Sequence, residues 1–308
     1  MPLARCNGID IAYETGGAAD GIPLLMIHGL GAQLTRWPDS LCAALGTAGF
    51  RTIRFDSRDV GLSTHFPDVP VPDLAAVMAA MQRGEVPDLP YTLSDMAADT
   101  AGLLDALGLE RAHVLGVSLG GMIAQGLAIE HPARGLSLTV MMSQSGNPAL
   151  PPSDPALLAI MAATPPDPAV DHEAFLRHSV TLNRALGSPD YPTTEADLRT
   201  FATTAAARAY DPSGSGRQLA AARGAADRRP GLAALDVPTL VIHGAADRLI
   251  LPECGEDIAR HVKGAWMVTV NGMGHDLPDP LTDLFVATIR ANAARAAAFA
   301  RIVATNRS

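Results

Sequence analysis

The segment Ala112-His113-Val114-Leu115-Gly116-Val117-Ser118-Leu119-Gly120-Gly121 constrains the fold more than any other stretch of the chain. A largely apolar run ends at a serine, and a helix-forming stretch, MIAQGLAIEH, starts at Met122. Passing from a buried strand to a helix within so few residues requires a sharp turn. The glycines of Gly116-x-Ser118-x-Gly120 remove side chains that would collide there. The serine hydroxyl then stands above the strand end, where the first helical turn offers free N–H groups. Five-residue patterns arise by chance. The strand before and the helix after make Ser118 a candidate nucleophile.

Five more runs share the character of Ala112–Val117: Pro23–His28, Thr52–Asp56, Ser137–Met142, Thr239–His243 and Trp266–Val270. They are short, rich in Val, Ile and Leu, and lack polar alternation, as expected of parallel strands buried on both faces. Helical patterns lie between them, clearest in Leu93–Leu107, which has acidic residues in its first turn and Gly108 just past its end. The alternation predicts an α/β fold: a mostly parallel central sheet flanked by helices. Two stretches interrupt it. Thr64–Tyr91 is broken by prolines around a short helical piece, Leu74–Gln82. Asn147 to about Leu235 shows no strand and reads as short helices joined by Pro, Gly and Ser, starting directly after the fourth strong parallel strand. Leu157–Met161, Phe175–Leu182 and Leu198–Phe201 are too apolar for a disordered linker. The expected organisation is a core of residues 1–146 and 236–308 with a helical cap, 147–235. The Ala- and Arg-rich stretch Leu281–Val303 reads as a helix whose basic residues near the end suit its negative pole.

Other strand ends carry motifs. The first run closes on His28-Gly29-Leu30-Gly31, and the second leads into Phe55-Asp56-Ser57-Arg58-Asp59-Val60-Gly61-Leu62-Ser63. Beyond Thr239–His243 lies Gly244-Ala245-Ala246-Asp247-Arg248; beyond Trp266–Val270 lies Asn271-Gly272-Met273-Gly274-His275. Together with the GxSxG segment these resemble the serine hydrolases of the α/β-hydrolase superfamily over nearly the whole chain. The second motif resembles the superfamily's D-x-R-G-x-G-x-S pattern, with Asp59 where glycine is usual. Trp37-Pro38-Asp39 followed by IRFDSRDVGLST is similar to bacterial esterases of the aclacinomycin methylesterase type.

The resemblance implies the chain order nucleophile, acid, base, which Ser118, Asp247 and His275 follow. His275 would take the Ser118 proton and Asp247 would hold the imidazole in the right tautomer. Ser143-Gln144-Ser145, after the preceding strand, offers no acid, and Asp276 and Asp279 stand too close to His275 in sequence. Two backbone N–H groups, those of Leu119 and Leu30, are expected to form an oxyanion hole. His28 reads as a brace for the glycine loop. Trp37 and Met122 are candidate substrate-binding residues, with Leu30 and Leu119 beside them. The implied reaction is hydrolysis of small or medium apolar carboxylic esters through an acyl-serine. Carbon–carbon bond hydrolases and cofactor-free perhydrolases or haloperoxidases share the same residues, and a hydrolase-fold receptor is a third reading.

The remaining inventory mostly excludes. A net charge of −9 argues against a nucleic-acid partner. Cys6, Cys42 and Cys254 are odd in number and widely spaced, which suits free thiols. The nine histidines show no ligand spacing, so no metal is expected, and the Gly-rich stretches lack a P-loop lysine, so no cofactor is implied. The first residues do not read as a signal peptide, and no window is apolar enough to span a bilayer. The expected protein is cytoplasmic, without membrane or nucleic-acid partners, acting on a small-molecule ester; the oligomeric state stays open.

Overall fold

In the computed structural model, which describes residues 1–305 and side chains to residue 296, the first element is a hairpin that the apolar-run pattern does not include. Strands β1 (Leu3–Cys6) and β2 (Ile9–Gly16) pair antiparallel across Asn7-Gly8. Both turn residues have positive φ, 46° and 81°, as a two-residue primed turn requires. The signal was present: Asn-Gly flanked by a strand whose Ile9 and Ile11 face inward.

The six expected strands follow as β3 (Ile22–Ile27), β4 (Phe50–Phe55), β5 (Ala112–Val117), β6 (Gly135–Met141), β7 (Thr239–Gly244) and β8 (Trp266–Val270). The helices are α1 (Asp39–Thr47), α2 (Leu74–Gln82), α3 (Leu93–Ala106) and α4 (Leu119–Glu130). Next come α5 (Pro155–Met161), α6 (His172–Leu186), α7 (Glu195–Arg208), α8 (Pro212–Arg223) and α9 (Arg229–Ala233), then α10 (Pro252–His261) and α11 (Thr282–Thr305). Between β6 and β7 every described element is helical. Helix α3 starts with a capping box in which Thr92 and Asp95 satisfy each other's backbone N–H groups. The basic residues near the end of α11 lie outside the described side chains.

The eight strands form one sheet in the order β1-β2-β4-β3-β5-β6-β7-β8, parallel from β4 to β8. Successive residues of a strand face opposite sides, so β3 divides its apolar groups between two layers. Leu25 and Ile27 pack with Leu103, Ile123, Leu127 and Ile258 beneath α3, α4 and α10. Leu24 and Met26 pack with Leu41, Leu45, Phe285 and Ile289 beneath α1 and α11. The strand order reverses at β3, between β4 and β5, so the chain leaves the C-terminal ends of β3 and β5 toward opposite faces and opens a crevice there. No helix among the described residues is long and apolar enough to cross a membrane.

Candidate active site

Ser118 occupies the sharp turn between β5 and α4, with φ 55° and ψ −120°. This strained backbone is enforced by close packing. A Cβ on Gly116 would lie 2.2 Å from the Gly120 carbonyl oxygen, and one on Gly120 would lie 2.0 Å from that of Ile27. Both obstacles are backbone, so only glycine fits. The Ser118 N–H donates to the Met141 carbonyl at 3.0 Å, and the Ser143 hydroxyl donates to the Ser118 carbonyl at 2.7 Å. The elbow is thereby held from β6, and the Ser118 side chain points away from the sheet.

The loops beyond β7 and β8 bring two more predicted residues to this point. Ser118 Oγ lies 3.0 Å from His275 Nε2, and His275 Nδ1 lies 2.7 Å from Asp247 Oδ2. Asp247 is fully buried at its side chain, and its other oxygen accepts the N–H groups of Leu249 and Ile250 at 2.9 and 3.0 Å. Burial alone would raise the Asp247 pKa. The charge and hydrogen bond of His275, with His243 Nε2 3.6 Å away, outweigh it and hold the carboxyl well below its usual range. Asp247 is therefore ionised, and with its Nδ1 donating to that carboxylate, His275 presents Nε2 to the serine as a proton acceptor. The geometry allows a proton to pass from Oγ to Nε2 with the imidazolium stabilised from behind. His275 is fixed from the helical segment too: its N–H donates to the Leu186 carbonyl at 2.7 Å, and the Gly274 N–H donates to the Ser188 hydroxyl at 2.8 Å.

The loop after β3 closes the other side. A Cβ on Gly29 would lie 3.1 Å from the Ser118 Cβ, so this loop rests directly against the serine. Of the N–H groups of Gly29 to Ala32, three are used: Gly29 donates to His28 Nδ1 at 2.7 Å, Gly31 to Gln218 Oε1 at 2.9 Å, and Ala32 to the Gly29 carbonyl at 3.2 Å. The Leu30 N–H donates to no acceptor among the described residues, and neither does that of Leu119 at the first turn of α4. The Gly29 carbonyl is turned toward Ala32. In a trans peptide the Leu30 N–H then points the opposite way. His28 is held neutral: desolvation, aided by the Arg36 and His275 charges, lowers its pKa to about 3. Its role is the brace for Gly29 that the sequence suggests.

Trp37 is 1% exposed and stands edge-on to His28, with ring centroids 4.9 Å apart. Met122 is 6% exposed on the inner face of α4. A cavity of about 610 Å³ is lined by Asn183, Ser188, Glu195, Ala246, Arg248 and Asp276 among others; it abuts the loops carrying Asp247 and His275, and its lining includes neither Ser118 nor Trp37 nor Met122.

Asp59 adopts φ 66°, the left-handed conformation that the usual glycine would supply. Its carboxylate receives Arg217 of α8 at 2.8 and 2.9 Å and the Tyr91 hydroxyl at 2.7 Å. Asp59, His65 and Asp211 could geometrically surround a metal ion, but Arg217, which also approaches Asp211 at 3.7 Å, already supplies the positive charge there. Neither Arg217 nor Gln218 was singled out by the sequence, since nothing in the pattern of α8 marks a helix that touches loops more than 150 residues earlier.

The chain belongs to the alpha/beta hydrolase fold family, whose profile matches residues 22–279. It is 29% identical to rhodomycin D methylesterase DauP of Streptomyces sp. (strain C5), covering 94% of this chain and 99% of that protein. Among solved structures it is similar to a hydrolase from Pseudomonas aeruginosa PA01, with a TM-score of 0.65 and 28% identity over 96% of this chain and 97% of that one. The meta-cleavage product hydrolase CumD from Pseudomonas fluorescens IP01 shares the fold, with a TM-score of 0.73 at 18% identity, covering 96% of this chain and 98% of that chain.

Proposed function

We propose that the protein is a carboxylic-ester hydrolase in which Ser118 is the nucleophile, His275 the general base and then acid, and Asp247 the orienting carboxylate. The observation that carries this reading is the continuous hydrogen-bonded chain from Ser118 Oγ through His275 to Asp247, with distances of 3.0 and 2.7 Å. Ser118 Oγ attacks the ester carbonyl as its proton passes to His275 Nε2. The carbonyl oxygen takes the negative charge and is met by the N–H groups of Leu30 and Leu119. Each such donor contributes about 2.7–4 kcal/mol to transition-state stabilisation. Collapse expels the alcohol, which receives the proton from His275 and leaves an acyl-serine. Water then attacks by the same route, returning the serine and releasing the acid.

Residues 147–235 act as a cap on a core of residues 1–146 and 236–308, and the acyl group lies between the two on a floor that includes Met122 and Trp37. Relatives that include a methylesterase favour small ester groups. Initial rates on p-nitrophenyl esters of increasing acyl length, with Ser118→Ala as control, test the reading. Turnover peaking at short chains and lost in the variant is expected. Equal turnover by Ser118→Ala would overturn it.

A further inference from the structure

Helix α8 reaches across from the inserted segment to the loop that carries the Leu30 N–H. The Gln218 side chain, 0% exposed, accepts the Gly31 N–H at 2.9 Å and donates through Nε2 to the Arg58 carbonyl at 2.7 Å. The amide thus ties the loop after β3 to the loop after β4. The helix is pressed hard against this place: a Cβ on Gly31 would lie 2.3 Å from Ser215 Oγ. One residue before Gln218, Arg217 is fixed by Asp59, so this turn of α8 cannot shift away without breaking a buried ion pair. Fixing the Gly31 N–H fixes the plane of the Leu30–Gly31 peptide, and the Ala32-to-Gly29 bond fixes the peptide before it. Between those two restraints the Leu30 N–H has one direction.

We infer that Gln218 is a positioning residue that sets the Leu30 N–H for the oxyanion, so that α8 of the inserted segment completes the catalytic site. This rests on the ester-hydrolase reading. A group that acts only by aiming a donor at developing charge affects the transition state and leaves ground-state binding almost unchanged.

The test compares wild type, Gln218→Met, which keeps the shape without either hydrogen bond, and Gln218→Glu, which keeps an acceptor for Gly31. Active sites are counted by complete titration with a fluorophosphonate, so that only folded protein enters kcat. Each is assayed for p-nitrophenyl butyrate hydrolysis and for inhibition by an aryl trifluoromethyl ketone. That ketone forms a hemiketal: the Ser118 Oγ bonds to the carbonyl carbon, the proton moves to His275, and the former carbonyl oxygen becomes the oxyanion. We expect kcat to fall about 10- to 100-fold in Gln218→Met with KM within about twofold. Ketone affinity should fall by the same factor, and Gln218→Glu should lie between. Wild-type kcat in Gln218→Met, or a lost kcat with unchanged ketone affinity, overturns the inference. Absence of turnover and of ketone binding in the wild type itself would instead remove the hydrolase reading beneath it.

Discussion

Arg217 meets Asp59 through two hydrogen bonds, at 2.8 and 2.9 Å, and neither side chain is more than 1% exposed. An ion pair this deep repays its desolvation only while both partners are present. Asp59→Asn should therefore cost about 3–5 kcal/mol, because it leaves a buried guanidinium with only Asp211, 3.7 Å away, as a counter-charge. Urea denaturation measures this. The double variant Asp59→Asn/Arg217→Met should recover part of the loss, and a neutral single variant would show that water reaches the pair.

Asp247→Asn retains an oxygen for the Leu249 and Ile250 N–H groups but faces His275 Nδ1 with an amide donor. The imidazole would then carry its proton on Nε2, where it cannot take one from Ser118. A fall in kcat of about 10⁴-fold, with unchanged far-UV circular dichroism, is the expected outcome. Activity within tenfold of wild type would mean that another carboxylate orients the histidine.

At the elbow, Gly120→Ala would drive a Cβ to 2.0 Å from the Ile27 carbonyl oxygen. Backbone cannot yield as a side chain does, so we expect destabilisation beyond about 3 kcal/mol or insoluble protein. Gly135→Ala, at the start of β6 with open space around it, should change stability by less than about 0.5 kcal/mol. Comparable thermal midpoints for the two variants would contradict the close packing at Ser118.

Two imidazoles set an acid limit. Desolvation above all lowers the pKa of His28 to about 3, and desolvation with the Arg111 charge lowers that of His113 to about 4. In the unfolded chain both take up a proton near 6.5. Between those values the unfolded state binds more protons, so stability falls as pH drops below about 6.5 and the loss is complete only near pH 3–4. The depressed Asp247 carboxyl works in the same direction, but only below the ordinary carboxylate range. Urea midpoints measured from pH 8 downward should be level and then decline from about 6.5, and His113→Asn should reduce the slope.

Cys6 and Cys254 should be silent to thiol reagents in the native protein. Burial, reinforced by nearby carboxylates, raises the Cys6 pKa to about 11 and that of Cys254 to about 12. At pH 8 that leaves thiolate at roughly one part in a thousand or less. Reaction of either with a disulfide reagent before denaturant is added would show that its layer opens readily.

Much of this architecture was legible because parallel strands buried on both faces write themselves as unbroken apolar runs. Each of the six expected runs became a strand, with bounds differing by two residues or fewer at either end. The hairpin at β1–β2 escaped that pattern because one face of β2 is wetter, which turns a run into an alternation. Ser118, Asp247 and His275 could be named because each follows a recognisable strand, so local patterns predicted a distant meeting. Gln218 and Arg217 could not. Their partners are Gly31 and Asp59, 187 and 158 residues away, and a hydrogen bond between a helix side chain and a remote loop leaves no periodicity behind.

The bond from the His275 N–H to the Leu186 carbonyl has a practical bearing on engineering. Trimming the inserted segment to make a minimal scaffold would remove an anchor of His275 along with the helices. A chimaera that imports another protein's insertion would need a carbonyl at the place of Leu186 before any change in selectivity could be measured. Grafts confined to the outward faces of α5 and α7 leave that joint untouched, and are the safer starting point for altering substrate choice.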